Sequence, residues 1–413
     1  MILFAAGLSF GLRASIATEL ASEILSTIDA DHAGEMAGTL LGNAFLSFAV
    51  TLLAGSIFLE KIGMGRMLVM SGLAFATGTG LTVAAPIIAS GDVVYTWLRL
   101  GFLLSGIGWG FMEASVNPLT AALYPEDKTH RLNVLHAWWP MGIMVGGLWA
   151  LGLAELGFGW QYQLALVIVP SIAGVALCLG TPFPTTERAA MGMDWGEMWD
   201  ELVRRPMFLV WFACMFLTAA SELAPGQWID LTLTRTLGMR GIWVMIYVSL
   251  MMFILRHFAG PIVQRIRPVG LLTLSVVLAT AGLLLLPMAN SLWTGLGAAT
   301  VWGLGVCFLW PTMLANVSER YPRGGELFVG LLGFAGAMAI QFVLPVLGRI
   351  FDTAKHDIAG GKTAFAMLDA TALDEVLRGA AQTSFETLAW CPAILIVVFG
   401  SIWLYDRSQS SEA

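Results

Sequence analysis

Glu113 is the first residue whose type and position suggest chemistry, because it lies in an almost entirely apolar stretch, GIGWGFMEASVNPLTAALYP, at residues 106–125. A carboxylate with little water around it can exist in a protonated or a charged form, and the charged form needs a partner. Asn117 follows four residues later, which places both side chains on one helix face. Glu222 and Arg13 stand in comparable apolar surroundings. We take Glu113, Glu222 and Arg13 as candidates for proton chemistry, with a purely structural buried ion pair as the alternative.

A second group of residues combines amides, an imidazole and indoles, which are suited to hydroxyl-rich molecules. Polar groups hydrogen-bond to the hydroxyls of a ligand, and aromatic side chains line the apolar part of its pocket. His136 and Trp139 are three residues apart on one helix face, and SELAPGQWID predicts a helix break at Pro225-Gly226. Most of the 16 tryptophans are better explained as an interfacial belt. The candidate binding residues are Asn117, His136, Trp139, Gln227, Trp228, Trp310 and Gln341.

The composition of the chain identifies the elements that must position these residues. The 413 residues are 57% hydrophobic and 12% charged, whereas soluble domains carry roughly 25% charged residues. A membrane helix needs about 20 mostly apolar residues, and the sequence predicts twelve such spans in an all-α membrane protein. The predicted spans are 2–26, 36–59, 67–90, 94–122, 132–154, 161–182, 206–231, 240–263, 268–288, 292–316, 326–351 and 383–405.

The distribution of Lys and Arg predicts the orientation of these spans. With a cytoplasmic N-terminus, the first three outer loops hold no Lys or Arg, as the positive-inside rule requires. Both termini are therefore predicted to be cytoplasmic, in the inner or plasma membrane. A polar, basic segment at 183–205 divides the chain into an N-terminal half, 1–182, and a C-terminal half, 206–413. The long outer loop 353–382 contains ALDEVLRGAAQ, which predicts a short surface helix.

An internal repeat relates the two halves. Residues 106–125 overlay 303–322 without a gap, one stretch in the fourth span and the other in the tenth. Two parallel six-helix repeats are the arrangement of major facilitator transporters, although glycine-rich starts and Tyr-Pro ends also recur by chance. Gly106, Gly108, Phe111, Tyr124 and Pro125 match Gly303, Gly305, Phe308, Tyr321 and Pro322.

The stretch GWGFMEASVNPLTAALYPEDKTHRLNVLHAWWPMG at 108–142 resembles the fourth and fifth helices of the fucose permease family of sugar–proton symporters, within the major facilitator superfamily. The resemblance implies twelve helices in two pseudo-symmetric halves, and it places Glu113 on the protonatable carboxylate of the family. His136 and Trp139 stand where the family has a substrate-binding Gln and Asn. The family has an acid in the first span where this chain has Arg13, which can instead bind an acidic solute or serve as counter-ion to Glu113 or Glu222.

We therefore expect a secondary active transporter of a small polar solute, with a sugar as the first candidate and a proton as the coupling ion. An uncoupled facilitator or exporter, also for an acidic solute, is the alternative, and a membrane sensor on a transporter scaffold is a third interpretation. The sequence has no P-loop, no H-E-x-x-H and no Cys/His cluster with metal-ligand spacing, so we expect no enzyme activity, no cofactor and no metal. The expected partners are the solute, the proton and the lipid bilayer, with no nucleic acid, and the expected state is a monomer.

Overall fold

The structure, a computed structural model, describes residues 1–29, 33–192, 195–237 and 242–411. Within these ranges, the side chains of 17–18, 21, 33–35, 195, 227–237, 352 and 410–411 are left aside. The described residues form helices joined by short turns, and no strand occurs among them. This confirms the predicted all-α fold.

Twelve long helical segments follow one another along the chain, and we number them α1 to α12. The sixth and the tenth are each split into two helices. The bounds are α1 Ile2–Leu20, α2 Ala33–Ile62, α3 Met64–Ile88, α4 Asp92–Leu123, α5 Lys128–Glu155, α6 Trp160–Ala165 and Ile168–Cys178, α7 Met207–Leu237, α8 Ile242–Arg256, α9 Ala259–Leu285, α10 Leu292–Val306 and Leu309–Arg320, α11 Gly325–Ala359, and α12 Ala370–Ser411.

Nine of these segments, as far as the chain is described, are long and apolar enough to cross a membrane. Apolar helices at Ile2–Ile16 and Ile242–Arg256 are shorter, and α4, which carries Arg99 and Glu113, is not among the nine. The number that meets both criteria is therefore lower than the twelve spans predicted from sequence. Each predicted span overlaps one long segment, and the eighth, 240–263, also runs into the start of α9.

The predicted helix break at Pro225-Gly226 is wrong, because α7 is helical without interruption from Met207 to Leu237. A proline has no backbone N–H, so the carbonyl one turn earlier loses its helical donor. That carbonyl belongs to Ser221, and it accepts a hydrogen bond from Trp302 Nε1 at 3.3 Å. Membrane helices tolerate proline where a neighbouring helix supplies such a donor, which is the case here.

Two further boundaries differ from the expectations. The predicted outer loop 353–382 is largely helical: α11 extends to Ala359, a short helix spans Lys362–Ala366, and α12 begins at Ala370. The stretch ALDEVLRGAAQ is thus the first part of α12 rather than a separate surface helix. Within α9, Arg267 adopts φ 62° and interrupts the helical geometry directly before Pro268, so Ala259–Leu285 consists of two helices joined at a kink.

Glycines allow the helices of the N-terminal half to approach closely. A Cβ built on Gly110 of α4 would lie 2.7 Å from the backbone nitrogen of Leu52 on α2. A Cβ on Gly108 would lie 2.9 Å from the carbonyl oxygen of Ser71 on α3. Successive faces of α4 therefore contact α2 and α3 backbone to backbone, as small residues permit in membranes.

The two halves meet along paired helices. α2 packs against α11, and α5 packs against α8 and the second helix of α10. Within the halves, α1 lies on α5 and α9 lies on α12. The inward faces of α4, α5, α7, α8 and α10 therefore converge on the space between the halves.

Candidate functional site

A small cavity lies between the two halves. A second cavity adjoins it and shares three wall residues, Trp139, Glu222 and Leu223. The first cavity is lined by Trp109, Glu113, His136, Trp139, Glu222, Leu223, Arg256 and Trp310. Carboxylates, an imidazole, a guanidinium and three indoles thus converge on one space at the junction of the halves.

Glu113 lies at one end of a hydrogen-bonded series that joins α4 to α5. Asn117 Nδ2 donates to Glu113 Oε2 at 2.7 Å, and also to the Glu113 carbonyl oxygen at 3.0 Å. The amide oxygen of Asn117 lies 2.9 Å from His136 Nε2. All three side chains are buried. Among the described residues, Glu113 makes no ion pair, and its side-chain donor in this series is the uncharged amide of Asn117.

Glu222 on α7 has a charged partner instead. Arg256 Nη2, on α8, donates to Glu222 Oε1 at 3.0 Å, and both side chains are less than one-tenth exposed. Arg256 Nε donates to the carbonyl oxygen of Cys307 at 2.6 Å, and Nη1 donates to the carbonyl oxygen of His136 at 2.6 Å. The guanidinium is therefore bound on three sides, which offsets the large penalty for burying a charge.

The same ion pair stabilises the break in α10. The first helix of α10 ends at Val306 with Cys307 as its C-cap, and the second begins at Leu309. Arg256 donates to the Cys307 carbonyl, and the backbone N–H of Trp310 donates to Glu222 Oε2 at 3.1 Å. A cation thus lies at a helix C-terminus and an anion at a helix N-terminus, which are the favourable positions for each charge. Interrupted helices beside a central site are typical of membrane transporters.

Aromatic side chains form one wall of the cavity. Trp109 and Trp139 have ring centroids 4.6 Å apart, and Phe48 stacks on Trp109 at 4.3 Å. Phe10 lies 5.2 Å from Trp139. Trp310 of α10 lines the cavity with them. The wall therefore offers indole surfaces from both halves of the molecule.

The structure places Arg13 away from both carboxylates. Its Nε donates to the Ser9 carbonyl oxygen within α1 at 3.1 Å, and its guanidinium lies 5.4 Å from the ring centre of Phe102. Arg13 lines neither of the two cavities, and among the described residues it forms no ion pair. The role of counter-ion to Glu222, which the sequence offered to Arg13, belongs to Arg256.

The other predicted binding residues are distributed as follows. Asn117 hydrogen-bonds to two residues of the cavity wall, Glu113 and His136, and does not itself line the cavity. Gln341 lies at the contact between α2 and α11. A Cβ built on Gly42 would lie 3.3 Å from Gln341 Oε1, and Gln341 lines neither cavity. The side chains of Gln227 and Trp228 lie outside the described residues.

Sequence reasoning missed two residues of the cavity wall, Trp109 and Arg256. Trp109 precedes Glu113 by four residues and so shares its helix face, a signal that could have been used. Because ionisable residues within spans usually face the bundle interior, the same rule that singled out Glu113 applied to Arg256.

Polar bonds between the halves close the side of the molecule that is predicted to be cytoplasmic. Thr129 Oγ1 of α5 donates to Glu319 Oε1 of α10 at 2.6 Å. Arg188, in the segment between the halves, pairs with Glu326 at the start of α11 at 2.8 Å, and both side chains are less than one-tenth exposed. In the same segment, Glu187 pairs with Lys128 at 2.8 Å. The segment is thus bound to both halves across this side.

Comparisons with known proteins agree with this architecture. The E. coli fucose:proton symporter has 16% sequence identity with a TM-score of 0.63, over 95% of this chain and 98% of that one. The D-xylose-proton symporter has 12% identity with a TM-score of 0.72, over 97% of this chain and 96% of the other. At these identities the likeness is one of fold. The sequence model described as Major Facilitator Superfamily matches residues 2–345, and the chain therefore belongs to the Major Facilitator Superfamily of membrane transporters.

Proposed function

We propose that this protein is a secondary active transporter of a small, polar, uncharged solute, with a sugar as the first candidate, and that a proton on Glu113 drives the transport. The two halves would expose the central cavity to one side of the membrane and then to the other. The fucose and xylose proton symporters share the fold, which supports a sugar as solute and a proton as driving ion.

The observation that carries the proposal is the difference between the two carboxylates of the cavity. Glu222 is neutralised by Arg256, whereas Glu113 accepts from the neutral amide of Asn117, whose oxygen lies against His136. Binding a proton on Glu113 therefore changes the net charge of the cavity by one unit. In a site shielded from water, charges interact more strongly than in solution. Protonation of Glu113 can therefore control solute binding and the movement of the halves.

The composition of the cavity favours an uncharged solute. The cation in its wall, Arg256, already pairs with Glu222 and donates to two carbonyl groups. A carboxylate solute would meet Glu113 and Glu222 without a free cation among the described wall residues. A sugar can instead exchange hydrogen bonds with Glu113 and His136 while its apolar face rests on Trp109, Trp139 or Trp310.

The test is a comparison of two variants, Glu113→Gln and Glu155→Gln, in proteoliposomes. The first removes the titratable group of the cavity, and the second makes the same change at an exposed residue near the end of α5. We expect Glu113→Gln to lose solute accumulation driven by an imposed pH gradient while it keeps solute exchange and thermal stabilisation by the solute. Glu155→Gln should behave as the parent protein does.

Two outcomes would contradict the proposal in different ways. Accumulation by Glu113→Gln equal to that of the parent would indicate an uncoupled facilitator, or coupling through another group. No flux by the parent protein with any of a broad set of monosaccharides and polyols would contradict the solute class. Flux of carboxylates alone would favour the acidic solute that the first-span Arg13 suggested.

A further inference from the structure

Arg256 donates to two backbone carbonyl groups that share an uncommon property: each lies four residues before a proline. His136 precedes Pro140 in α5 by four residues, and Cys307 precedes Pro311 in α10 by four. Both bonds measure 2.6 Å. The two carbonyl groups belong to different halves of the molecule.

The prolines explain why these carbonyl groups are available. In an α-helix, each C=O accepts from the N–H four residues later, and proline has no N–H to offer. A carbonyl group left without a donor in a buried setting costs about 1–3 kcal/mol. Arg256, 2% exposed, supplies donors to both groups, and its planar guanidinium is suited to several fixed bonds at once.

A third case shows that the bond across the halves is not a necessary result of a proline. Pro225 of α7 leaves the carbonyl of Ser221 without a helical donor, and Trp302 of α10 donates to it. Both residues lie in the C-terminal half, so this bond does not join the halves. Arg256 therefore combines two functions: it completes α10 within its own half, and it reaches the backbone of α5 in the other half.

We propose that Arg256 is a positioning residue of alternating access, whose bond to the His136 carbonyl stabilises the state that is closed on the predicted cytoplasmic side. When that side opens, this bond breaks, while the bonds to Cys307 and Glu222 remain within the C-terminal half. The inference rests on the transport cycle proposed above, because it requires the two halves to move relative to each other.

The positions of the two residues along their helices support this assignment. Arg256 ends α8, and after a turn at 257–258 the chain is helical again toward the predicted cytoplasmic side as far as the kink at Arg267. His136 lies about 12 Å from the start of α5 on that side, at about 1.5 Å per residue. The bond thus lies at the central cavity, about 10 Å along α5 from the Thr129–Glu319 bond of the closed side, and it borders the contact that separates when that side opens.

Pro140→Ala tests the proposal directly, because it supplies the missing helical N–H to the His136 carbonyl, and that donor competes with Arg256 for its acceptor in the N-terminal half. The measurement is the alkylation rate of Leu314→Cys, which lines a cavity on the closed side, in a background without the four native cysteines. Loss of one charge-assisted bond predicts a rise of about tenfold in that rate.

Two controls separate this effect from a general loosening of the helices. Pro311→Ala restores the helical bond to Cys307 within the C-terminal half and leaves the bond across the halves, so the rate should stay within about twofold of the parent. Pro86→Ala in α3 makes the same change at a proline whose freed carbonyl, on Thr82, accepts no side-chain donor among the described residues. That variant should label as the parent does.

The outcomes distinguish this inference from the proposed function. Unchanged labelling of folded Pro140→Ala would overturn the role of Arg256, even where solute uptake continues. If the parent protein shows no flux but Pro140→Ala raises the labelling rate as expected, the transport proposal is contradicted and the role of the bond between Arg256 and the His136 carbonyl is supported. Should Pro140→Ala fail to fold, Arg256→Lys is the second test. The guanidinium binds the two carbonyl groups and Glu222 through three different nitrogens, and the single nitrogen of lysine cannot reproduce that geometry; labelling at the parent rate would then overturn the inference.

Discussion

Two buried carboxylates that resemble each other in sequence have different chemical settings in the fold. Glu113 accepts from a neutral amide, whereas Glu222 accepts from the guanidinium of Arg256 and from the backbone N–H of Trp310. A carboxylate that stabilises a buried cation is poorly suited to lose its charge during a cycle. At the scale of single residues, proton coupling is therefore better assigned to Glu113 and structural stabilisation to Glu222.

This distinction predicts different effects on stability. Glu222→Gln leaves Arg256 buried without a counter-ion, which should lower the free energy of unfolding by about 3–5 kcal/mol. Glu113→Gln removes no ion pair and should change it by less than about 1 kcal/mol. Equilibrium unfolding of the purified variants in detergent checks both values, and equal losses in the two variants would contradict the assignment.

Part of the site could be predicted from the sequence because rare residue types stand out in apolar spans. Glu113, His136, Trp139 and Trp310 were singled out on that basis, and the structure brings all four to one cavity. The partner of Glu222 could not be predicted, because Arg256 lies 34 residues away on another helix. Which basic residue reaches a given carboxylate depends on helix rotation and packing, and one sequence does not specify these.

At the scale of helices, α4 is positioned by glycine contacts on two neighbours. A Cβ on Gly110 would meet Phe48 O at 2.9 Å and Leu52 N at 2.7 Å. These are backbone atoms, which cannot turn aside as a flexible side chain can. The spacing between α4 and α2, and with it the position of Glu113, therefore depends on the absence of a side chain at Gly110.

Gly110→Ala should accordingly destabilise the protein by about 1–3 kcal/mol, the usual effect of forcing extra atoms into a packed interior. The matched control is Gly80→Ala in α3, where a Cβ meets nothing within 4 Å and alanine favours the helix by up to about 1 kcal/mol. Thermal unfolding of the two variants decides the matter: a loss for Gly80→Ala as large as for Gly110→Ala would show that the close approach is unimportant.

The helices themselves were predictable from hydropathy, but their interruptions were not. Proline at Pro225 predicted a break that is absent, because Trp302 donates to the freed carbonyl. The break before Leu309 was not predicted, although Pro311 lies beside it, and it is stabilised by Arg256 and Glu222. Whether a helix continues past a proline depends on donors from other helices, which local sequence does not reveal.

At the scale of the whole molecule, the segment 183–205 between the halves binds to both of them on the predicted cytoplasmic side. Arg188 pairs with Glu326 of α11, and Glu187 pairs with Lys128 of α5. Thr186 donates to Glu60 at the end of α2. Beneath these bonds lies a cavity whose wall includes Leu132. Opening of this side requires the segment to release at least one half.

Arg188→Ala should therefore favour the state open on this side, since it removes a buried ion pair and leaves Glu326 without its cation. We expect the alkylation rate of Leu132→Cys to rise severalfold in this variant. Arg131→Ala is the control, because Arg131 pairs with Asp127 within its own helix and both are exposed; such pairs contribute little. Equal labelling in the two variants would show that the segment does not restrain opening.

The three-sided binding of Arg256 also has a consequence for how the chain is made. α8 carries a buried arginine, and a membrane helix with a charge inside it is a poor candidate for insertion on its own. α7 with Glu222 and α5 with the His136 carbonyl leave the ribosome earlier, and they offer Arg256 its first partners. Cys307 and Trp310 are synthesised only after α8 and α9. We therefore expect nascent chains that end before α10 to stay marginal in the membrane and to be degraded, and α10 to complete the C-terminal half during biogenesis.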